Sequence, residues 1–334
     1  MPSRLVVRLV LASTAVVLLL SVAASPVSAV GGAWPYQDAG DRGTNVKVVQ
    51  LLLRAHRYDL PVSGVFGTAT RDALRSFQSH HGLAASGVAT PTTWGELVVP
   101  LTRGARGDAV RAVQLLIHQK RDSTLPVTGF FGPLTRSAVI ALQRARGLSP
   151  TGVVNAATWR VLVDHFERPN FNLASLCAYA TGANGNTAHW GTSSTIAHLT
   201  LGAGTVYGMG YGPVAVGDIS LRYGGAITGH RTHRVGLDAD VRPMRIHNDQ
   251  CSRSTTWYRW SNGHKVCCNP GYDRAATRAL IKAIRAASAG HLDVVAFNDP
   301  KLIAEGLTMH LAGHDDHLHF SFCEYRHPTW GYTC

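Results

Sequence analysis

The chain repeats itself, and the repeat determines how its first half can fold. Residues 43–99 occur again, in recognisable form, as residues 107–163. The matching positions are Gln50 with Gln114, Phe66-Gly67 with Phe131-Gly132, Gly82-Leu83 with Gly147-Leu148, Gly87-Val88 with Gly152-Val153, and Thr93-Trp94 with Thr158-Trp159. The offset is 64 residues before the central loop of the unit and 65 after it, so one residue is inserted there. Such a duplication predicts two copies of one small unit, in a chain whose 334 residues leave room for a further domain.

Each copy shows the apolar spacing of short helices. The positions are Val46, Val49, Leu52 and Leu53 in the first copy and Val110, Val113, Leu116 and Ile117 in the second. A second helix is predicted over Thr70–His80 and a third, shorter one from about Thr90-Pro91, with glycine-rich joints between them. We therefore expect two all-α three-helix modules, followed by a linker over residues 164–172 in which Pro169 prevents a helix.

The repeated pattern resembles a known family. It reads Val-x-x-x-Gln-x-Leu-Leu, then Gly-x-Phe-Gly-x-x-Thr, and closes on Thr-Trp. In order and spacing it is similar to the bacterial type-one peptidoglycan-binding domain over nearly all of residues 43–163. The resemblance implies non-catalytic binding to the glycan and peptide of the cell wall. The alternative is that the two modules are structural spacers.

The first 29 residues have the pattern of a secretory signal. Arg4 and Arg8 precede an apolar run from Leu9 to Leu20, and the segment closes on Val27-Ser28-Ala29. We expect cleavage after Ala29; the alternative is a retained membrane anchor. No other segment is predicted to span a membrane, so we expect a secreted protein in the periplasm or outside the cell, associated with the cell wall.

Cysteine usage agrees with export. All six cysteines come after residue 170: Cys177, Cys251, Cys267, Cys268, Cys323 and Cys334. In an oxidising compartment they predict three disulfides, and their connectivity stays open. Their spacing does not fit a cysteine-ligated zinc knuckle.

The chain is strongly basic, with a formal net charge of +12. The charge is spread without a Lys/Arg run, which favours an anionic polymer as partner. For an exported protein that polymer is the cell wall before nucleic acid, and no obligate protein partner is inferred. The alternative is that the charge serves only colloidal solubility.

Residues 173–334 have a different composition, rich in Gly, Ser and Thr with short β-type runs. One amphipathic helix is predicted from Asp273 to Ala287, and its inward positions are Ala276, Leu280, Ile281 and Ile284. The pattern predicts an α+β domain with a small antiparallel sheet.

Two motifs in this domain carry polar residues at strand spacing. In Leu237–Val241, Asp238 and Asp240 share one face of an extended strand, and His233 arrives from the preceding turn. Near the C-terminus, His317 and His319 share a face while Leu318 and Phe320 point to the core, and His314 comes just before. A His, an Asp and a second His form a three-ligand set that suits Zn²⁺ and leaves a fourth position for water. Alone, either motif could as well consist of side chains that are solvated or hydrogen-bonded and bind no metal ion.

Together the motifs resemble the penicillin-insensitive murein endopeptidases, within the group of lysostaphin-type and D-Ala-D-Ala metallopeptidases. The matching residues are Gly-His-x-x-His-x-x-Gly-Leu-Asp-x-Asp-Val-Arg-Pro in the first motif, Gly-His-Asp-Asp-His-x-His in the second, and Asn298-Asp299-Pro300 between them. The resemblance also includes Gly217-Asp218-Ile219-Ser220, ahead of the first motif. The resemblance implies one catalytic zinc ion held by His233, Asp240 and His319. It implies that His317 acts on the zinc-bound water or steadies the oxyanion, and that His314 and His230 line the cleft. Residues 250–271 have no counterpart in the resemblance.

Two further groups surround the first motif. Asp238 is expected either to orient a metal ligand or to cap an N–H group in the turn. Arg231, Arg234, Arg242 and Arg245 are weaker candidates that could hold peptide carboxylates, although such side chains are more often only solvated.

The sequence thus predicts an exported zinc endopeptidase that cuts D-Ala–meso-diaminopimelate cross-links in peptidoglycan without a serine nucleophile. Two alternatives stay open: a D,D- or L,D-carboxypeptidase that trims stem peptides, and a non-catalytic wall-binding protein.

Overall fold

The structure is a computed structural model that describes residues 34–121, 123–164, 166–179, 187–251, 269–327 and 331–334. The predicted signal segment and two of the six cysteines, Cys267 and Cys268, lie outside the described residues. Among the residues described, no helix has both the length and the apolar character needed to cross a membrane.

Each repeat forms three helices, as predicted. The first contains α1 (Thr44–Ala55), α2 (Thr68–His80) and α3 (Pro91–Leu97), and the second contains α4 (Asp108–Lys120), α5 (Pro133–Ala145) and α6 (Ala156–Asp164). The third helix of the first repeat begins with Pro91 at its first position, and the Thr90 hydroxyl caps it by accepting a hydrogen bond from the Thr93 N–H group.

The repeated glutamine has a structural function in both copies. The side-chain oxygen of Gln50 accepts from the Gly64 N–H group at 2.9 Å, and its amide nitrogen donates to the Val65 carbonyl at 3.0 Å and the Thr70 hydroxyl at 2.9 Å. In the second repeat, Gln114 makes the same contacts with Gly129, Phe130 and Thr135. The glutamine therefore satisfies the polar groups of a buried loop that no helix or strand could pair.

The two repeats share one core. Helix α1 packs against α4, and a single cluster of buried apolar side chains runs from Val46 to Val163. Each repeat has one tryptophan at the matching position, and both indole rings are buried. The indole N–H group of Trp94 donates to the Pro35 carbonyl at 2.7 Å, and that of Trp159 donates to the Val99 carbonyl at 2.8 Å. The two repeats are thus packed together around one core and are not two independent domains.

The C-terminal region has the predicted α+β architecture. Its elements are β1 (Leu176–Ala178), α7 (Ser193–Gly208), β2 (Val214–Val216), β3 (Asp238–Val241), α8 (Arg274–Ser288), β4 (Leu292–Ala296), α9 (Pro300–Ala304) and β5 (Leu318–Phe322). The strands form one sheet in the order β1-β2-β3-β5-β4. The amphipathic helix appears as α8, capped by Asp273, with all four predicted inward residues buried.

The sheet differs from the prediction at one edge. Pairs β2–β3, β3–β5 and β5–β4 are antiparallel as expected, but β1 and β2 are parallel. Parallel neighbours require a crossover connection, and α7 lies between these two strands in sequence and provides it. The sheet is therefore mixed.

Helix α7 was not anticipated by the sequence analysis, which expected a single helix in this region. Its residues are small or apolar on nearly every side, so it lacks the one-sided stripe that identifies a surface helix. It packs against α8 at very short range. A Cβ atom added to Gly202 would lie 2.5 Å from Cγ1 and 3.0 Å from Cα of Ile284, so this glycine permits the close approach.

The first repeat packs against the C-terminal region. The Asn45 N–H group donates to the Ser193 hydroxyl at 3.0 Å, and the Ser194 hydroxyl donates to Asp41 at 3.0 Å. Within the predicted linker, Glu167 is buried and pairs with Gly191 through two backbone hydrogen bonds of 2.9 Å. This connecting segment is therefore part of the packed structure.

Two disulfides lie in the described part of the C-terminal region. Cys177 in β1 is bonded to Cys251, and Cys323, directly after β5, is bonded to Cys334. The first joins the middle of β1, and the second joins the residue after β5, to a segment outside the helices and strands. The third predicted disulfide involves cysteines outside the described residues.

Candidate metal centre

The pairing of β3 with β5 brings the two motifs together. In this antiparallel register Asp240 lies opposite His319, and Asp238 lies opposite Ser321. The alternate residues of both strands, Ala239, Val241, Leu318, Phe320 and Phe322, are buried in the core. The period of two residues therefore directs polar side chains from both motifs to the same face of the sheet.

Three donor atoms converge at this face. Oδ1 of Asp240 lies 3.0 Å from Nδ1 of His319 and 3.3 Å from Nε2 of His233, and the two imidazole nitrogens are 3.1 Å apart. The three residues are between 1% and 7% exposed. A further imidazole, that of His230, belongs to a group with His233 and Asp240 whose donor atoms all lie within 4.8 Å of one another.

The environment of His233 fixes its tautomer. The residue sits in a turn with the left-handed φ of 61°, and its backbone N–H group donates to Asp238 at 2.9 Å. Its Nδ1 is 3.1 Å from the carbonyl oxygen of Ile219. A carbonyl can only accept, so Nδ1 carries the proton and Nε2 presents a lone pair to Asp240 and His319.

Asp238 fixes His319 in the same way. Nε2 of His319 lies 3.3 Å from Oδ1 of Asp238, while the hydroxyls of Ser321 and Tyr332 donate to the same carboxylate at 2.6 and 2.5 Å. Burial opposes ionisation of Asp238, but the hydrogen bonds from His319, Ser321 and Tyr332 outweigh it and lower the pKa to about 2. The ionised carboxylate holds the proton of His319 at Nε2 and leaves the lone pair of Nδ1 facing Asp240.

The site therefore directs three electron-pair donors at one point. Donors bound at about 2.0 to 2.1 Å to a tetrahedral zinc ion lie about 3.3 to 3.4 Å from one another, close to the spacing found here. Burial disfavours the charge of Asp240, yet His233 and His319 hold its pKa well below the usual value. Burial also opposes the charged form of His319, but Asp238 and Asp240 raise the pKa of this imidazole to about 9. Without a bound metal ion, the protonated imidazole of His319 provides the positive charge beside the two carboxylates. The donor set and its spacing fit a divalent metal ion.

His230 is held beside this centre by a residue that the sequence analysis did not single out. Nε2 of His230 lies 3.0 Å from Oδ2 of Asp218, and its Nδ1 lies 3.7 Å from Oδ2 of Asp240. Asp218 is fully buried and comes from the segment after β2, outside both motifs. Only the Gly217–Ser220 stretch, which the resemblance includes, indicated that this segment approaches the site.

His317 and His314 line the open side. Nε2 of His317 lies 3.6 Å from Oδ1 of Asp240, and its Nδ1 lies 2.7 Å from Oδ1 of Asp316. Burial would lower the pKa of His317, but Asp316 and Asp240 raise it. The ring of His314 lies 4.8 Å from that of His317, and burial lowers its pKa. Two imidazoles with opposite protonation tendencies thus flank the donor cluster.

The arginines divide into two groups. Arg231 and Arg234 are exposed. Arg242 is buried: its guanidinium lies 4.3 Å from the centroid of the Tyr179 ring and donates to the Gln250 carbonyl at 3.0 Å. Arg245 is also buried and pairs with Asp249 at 2.5 Å. Contacts within the fold therefore account for Arg242 and Arg245.

Three stretches of the chain match models of known protein families. Residues 42–97 and 106–162 each match the model of the peptidoglycan binding domain. Residues 178–266 match the model of the penicillin-insensitive murein endopeptidase. These matches confirm the prediction of two peptidoglycan-binding repeats followed by a region that resembles the murein endopeptidases. The match to the murein endopeptidase model includes the motif with His233 and Asp240. It ends before the motif that contains His317 and His319.

Two curated proteins match parts of the chain. A zinc D-Ala-D-Ala carboxypeptidase of Streptomyces albus G is 35% identical over 81 residues, which are 22% of this chain and 32% of the relative. An uncharacterized protein of Kitasatospora aureofaciens is 40% identical over 63 residues, which are 19% of this chain and 53% of the relative. The chain therefore spans between a third and about half of the length of these relatives.

A solved structure also shares sequence with the chain. A peptidoglycan-binding protein from Clostridioides difficile, crystallised in complex with glutamine hydroxamate, is 35% identical over 19% of this chain and 39% of its own, with a TM-score of 0.18.

Proposed function

We propose that this protein is an exported zinc-dependent endopeptidase that hydrolyses D-Ala–meso-diaminopimelate cross-links in peptidoglycan. The observation that carries the proposal is the convergence of three lone-pair donors, from His233, Asp240 and His319, beside two further imidazoles. The matches to the peptidoglycan binding domain and to the murein endopeptidase model support the cell wall as the substrate.

The proposed division of labour follows the chain. Residues 43–99 and 107–163 bind the wall, residues 164–172 connect them, and residues 173–334 carry the peptidase site, after removal of residues 1–29 on export. The protein then acts outside the cytoplasm, in contact with the wall, and needs no nucleic acid, membrane or obligate protein partner.

His233, Asp240 and His319 would hold a zinc ion, which would supply Lewis acidity and lower the pKa of a bound water molecule towards neutrality. Nδ1 of His317 donates to Asp316, which orients the ring and leaves Nε2 facing the donor cluster. From there Nε2 can accept a proton from the nucleophile and return it to the leaving amine. His230, whose Nε2–H group donates to Asp218, and His314, whose Nδ1–H group donates to the Ala312 carbonyl, line the cleft beside the nucleophile.

The nucleophile in this proposal is water. No acyl-enzyme forms, so β-lactams leave the enzyme active and unmodified. A stable penicillin adduct on the intact protein, detected by mass spectrometry, would contradict it.

The test is the mass of the fragments that the mature protein releases from purified cross-linked peptidoglycan. We expect dimeric muropeptides to become monomers with the zinc-loaded protein. We expect no such change with His319→Ala, whereas a control variant at the exposed His310, His310→Ala, stays active.

The same spectra separate the alternatives. Loss of single terminal D-alanine residues, with the dimers intact, indicates a carboxypeptidase. Release of nothing by a zinc-loaded protein that still sediments with the wall indicates a binding protein.

A further inference from the structure

A second group of metal-binding side chains lies where the first repeat meets the C-terminal region. Asp38 and Asp41 come from the turn before α1, and His291 comes from the turn after α8. One donor atom from each residue lies within 4.8 Å of the others. No member of this group belongs to the metal centre described above.

The imidazole of His291 lies between the two carboxylates. Its Nε2 is 3.6 Å from Oδ1 of Asp38, and its Nδ1 is 3.3 Å from Oδ1 of Asp41. His291 is 6% exposed and Asp41 is 4% exposed, while the Asp38 side chain is 19% exposed. The group is therefore largely shielded from water, with one side open.

Two buried atoms of the group lack a hydrogen-bond partner. Within the described part of the chain, neither Nδ1 of His291 nor Oδ1 of Asp38 has a contact of hydrogen-bond geometry. Asp41, in contrast, is held in place, because Oδ2 accepts from the Asp38 N–H group at 2.9 Å and Oδ1 accepts from the Ser194 hydroxyl at 3.0 Å. Both atoms meet a charged neighbour only in loose ion pairs of 3.3 and 3.6 Å, and a bound cation would satisfy both with directed bonds.

A third carboxyl group and another imidazole belong to the surroundings. Burial and the charge of Asp41 raise the pKa of Glu324 to about 8, and Glu324 follows Cys323, whose N–H group donates to the His291 carbonyl at 3.1 Å. His198 on α7 is 1% exposed, and its ring lies 6.3 Å from that of His291. Three carboxylates around one histidine are an unfavourable arrangement unless a cation or protons neutralise them.

The second repeat provides an internal comparison. The Phe66 N–H group donates to the Asp41 carbonyl, and in the second repeat the equivalent bond joins Phe131 to Ala105. Asp38 matches Thr102 in the same way, because the carbonyl of each accepts from the N–H group three residues later, that of Asp41 or Ala105. The second repeat thus folds without either carboxylate. Asp38 and Asp41 are not required by the fold of the repeat, and they occur in the copy that faces His291.

We propose that Asp38, Asp41 and His291 bind a second divalent transition-metal ion, which fastens the first repeat to the C-terminal region. Carboxylate oxygens combined with imidazole nitrogen suit Zn²⁺ or a neighbouring first-row ion better than Ca²⁺ or Mg²⁺. The ion stabilises the folded arrangement and takes no part in the reaction.

The test is the zinc content of the full-length mature protein after loading with Zn²⁺ and extensive dialysis, measured by elemental mass spectrometry. We expect two ions in the wild type, one in His291→Ala, one in His319→Ala and none in the double variant. The control His310→Ala retains two.

A second measurement covers the case in which His291→Ala does not fold. Titration of Zn²⁺ into His319→Ala, followed by calorimetry, measures the second site alone. We expect Asp38→Asn, at a partly exposed position, to weaken this binding at least ~10-fold, while Asp59→Asn at an exposed position leaves it unchanged.

The outcomes are distinct. If His319→Ala binds no zinc, the group is a protonated ion pair and the inference is wrong. If the wild type binds a single ion that is lost with His291→Ala and kept with His319→Ala, the second site is supported and the proposed catalytic centre fails.

Discussion

Asp240 and His319 face each other across β3 and β5, with Oδ1 of Asp240 3.0 Å from Nδ1 of His319. The strand register alone produces this contact, and it joins residues 79 positions apart in sequence. Two short motifs, of which the second adds the imidazole of His319 to His233 and Asp240 of the first, become one donor set when the strands pair.

Asp238→Asn should weaken metal binding without removing a proposed ligand. The carboxylate accepts from the hydroxyls of Ser321 and Tyr332 and fixes the His319 ring, and an amide cannot accept at its NH₂ group. We expect the affinity for Zn²⁺ to fall about 10- to 100-fold, measured by competition with a chromophoric chelator. Asp59→Asn, at an exposed position, is the control. An unchanged affinity in Asp238→Asn would show that the carboxylate does not orient His319.

His317→Gln should separate metal binding from activity. The ring lies 3.6 Å from Asp240 and has its own anchor in Asp316, so we expect it to move protons and not to hold the ion. Activity should fall about 10²- to 10⁴-fold with the zinc content unchanged. Asp316→Asn should cause a smaller loss of activity, because it removes only the carboxylate that orients the His317 ring and leaves the imidazole in place. Loss of zinc together with activity would make His317 a ligand.

Sequence periodicity was sufficient to place the faces of β3 and β5. A strand alternates its side chains whatever its partner, so the shared face of Asp238 and Asp240, and the core positions of Leu318 and Phe320, follow from local spacing. The helical repeats were predictable for a similar reason, since the same apolar and glycine positions occur twice.

Three features were not accessible in this way. Helix α7 has no one-sided apolar stripe because its buried face includes Thr195, His198 and Gly202, while the apolar Leu201 and Tyr207 are exposed. Asp218 reaches His230 through the pairing of β2 with β3, which no local pattern encodes. The group formed by Asp38, Asp41 and His291 depends on how the first repeat packs against the C-terminal region, and this packing joins residues about 250 positions apart.

Gly202→Ala should destabilise the C-terminal region. The added methyl group would lie 2.5 Å from Cγ1 of Ile284 and 3.0 Å from its Cα, so α7 and α8 must separate. We expect a loss of about 1 to 3 kcal/mol in the free energy of unfolding. Gly204→Ala, two residues along the same helix, meets no atom within 4 Å and should gain up to ~1 kcal/mol from helix propensity. Urea denaturation of both variants checks the difference in sign, and equal effects would contradict the close packing.

Gln50→Leu and Gln114→Leu should destabilise the protein by similar amounts. Each leucine leaves a buried glycine N–H group, that of Gly64 or Gly129, without a partner at equivalent places in the two repeats. We expect about 1 to 3 kcal/mol for each variant, measured by urea denaturation, while Gln119→Leu on the exposed side of α4 changes little. Because the repeats share one core, each variant should shift a single transition for residues 43–163. Two separate transitions would show that the repeats unfold independently.

The buried ammonium group of Lys120 should make stability depend on pH in the alkaline range. It is 1% exposed and donates to Asn45 and to the carbonyls of Leu162 and Val163. Burial lowers its pKa from 10.5 to about 8, even though Glu167 and Asp164 favour the charged form. Between these two values the unfolded chain binds more protons than the folded chain, so the contribution of Lys120 to stability increases as the pH rises. We expect the wild type to gain up to about 3 kcal/mol relative to Lys120→Met between pH 8 and pH 10.5, measured by urea denaturation across that range. Lys282→Met, at an exposed site on α8, should show no such trend, and a wild type that loses stability relative to Lys120→Met over this interval would show that Lys120 keeps its proton throughout.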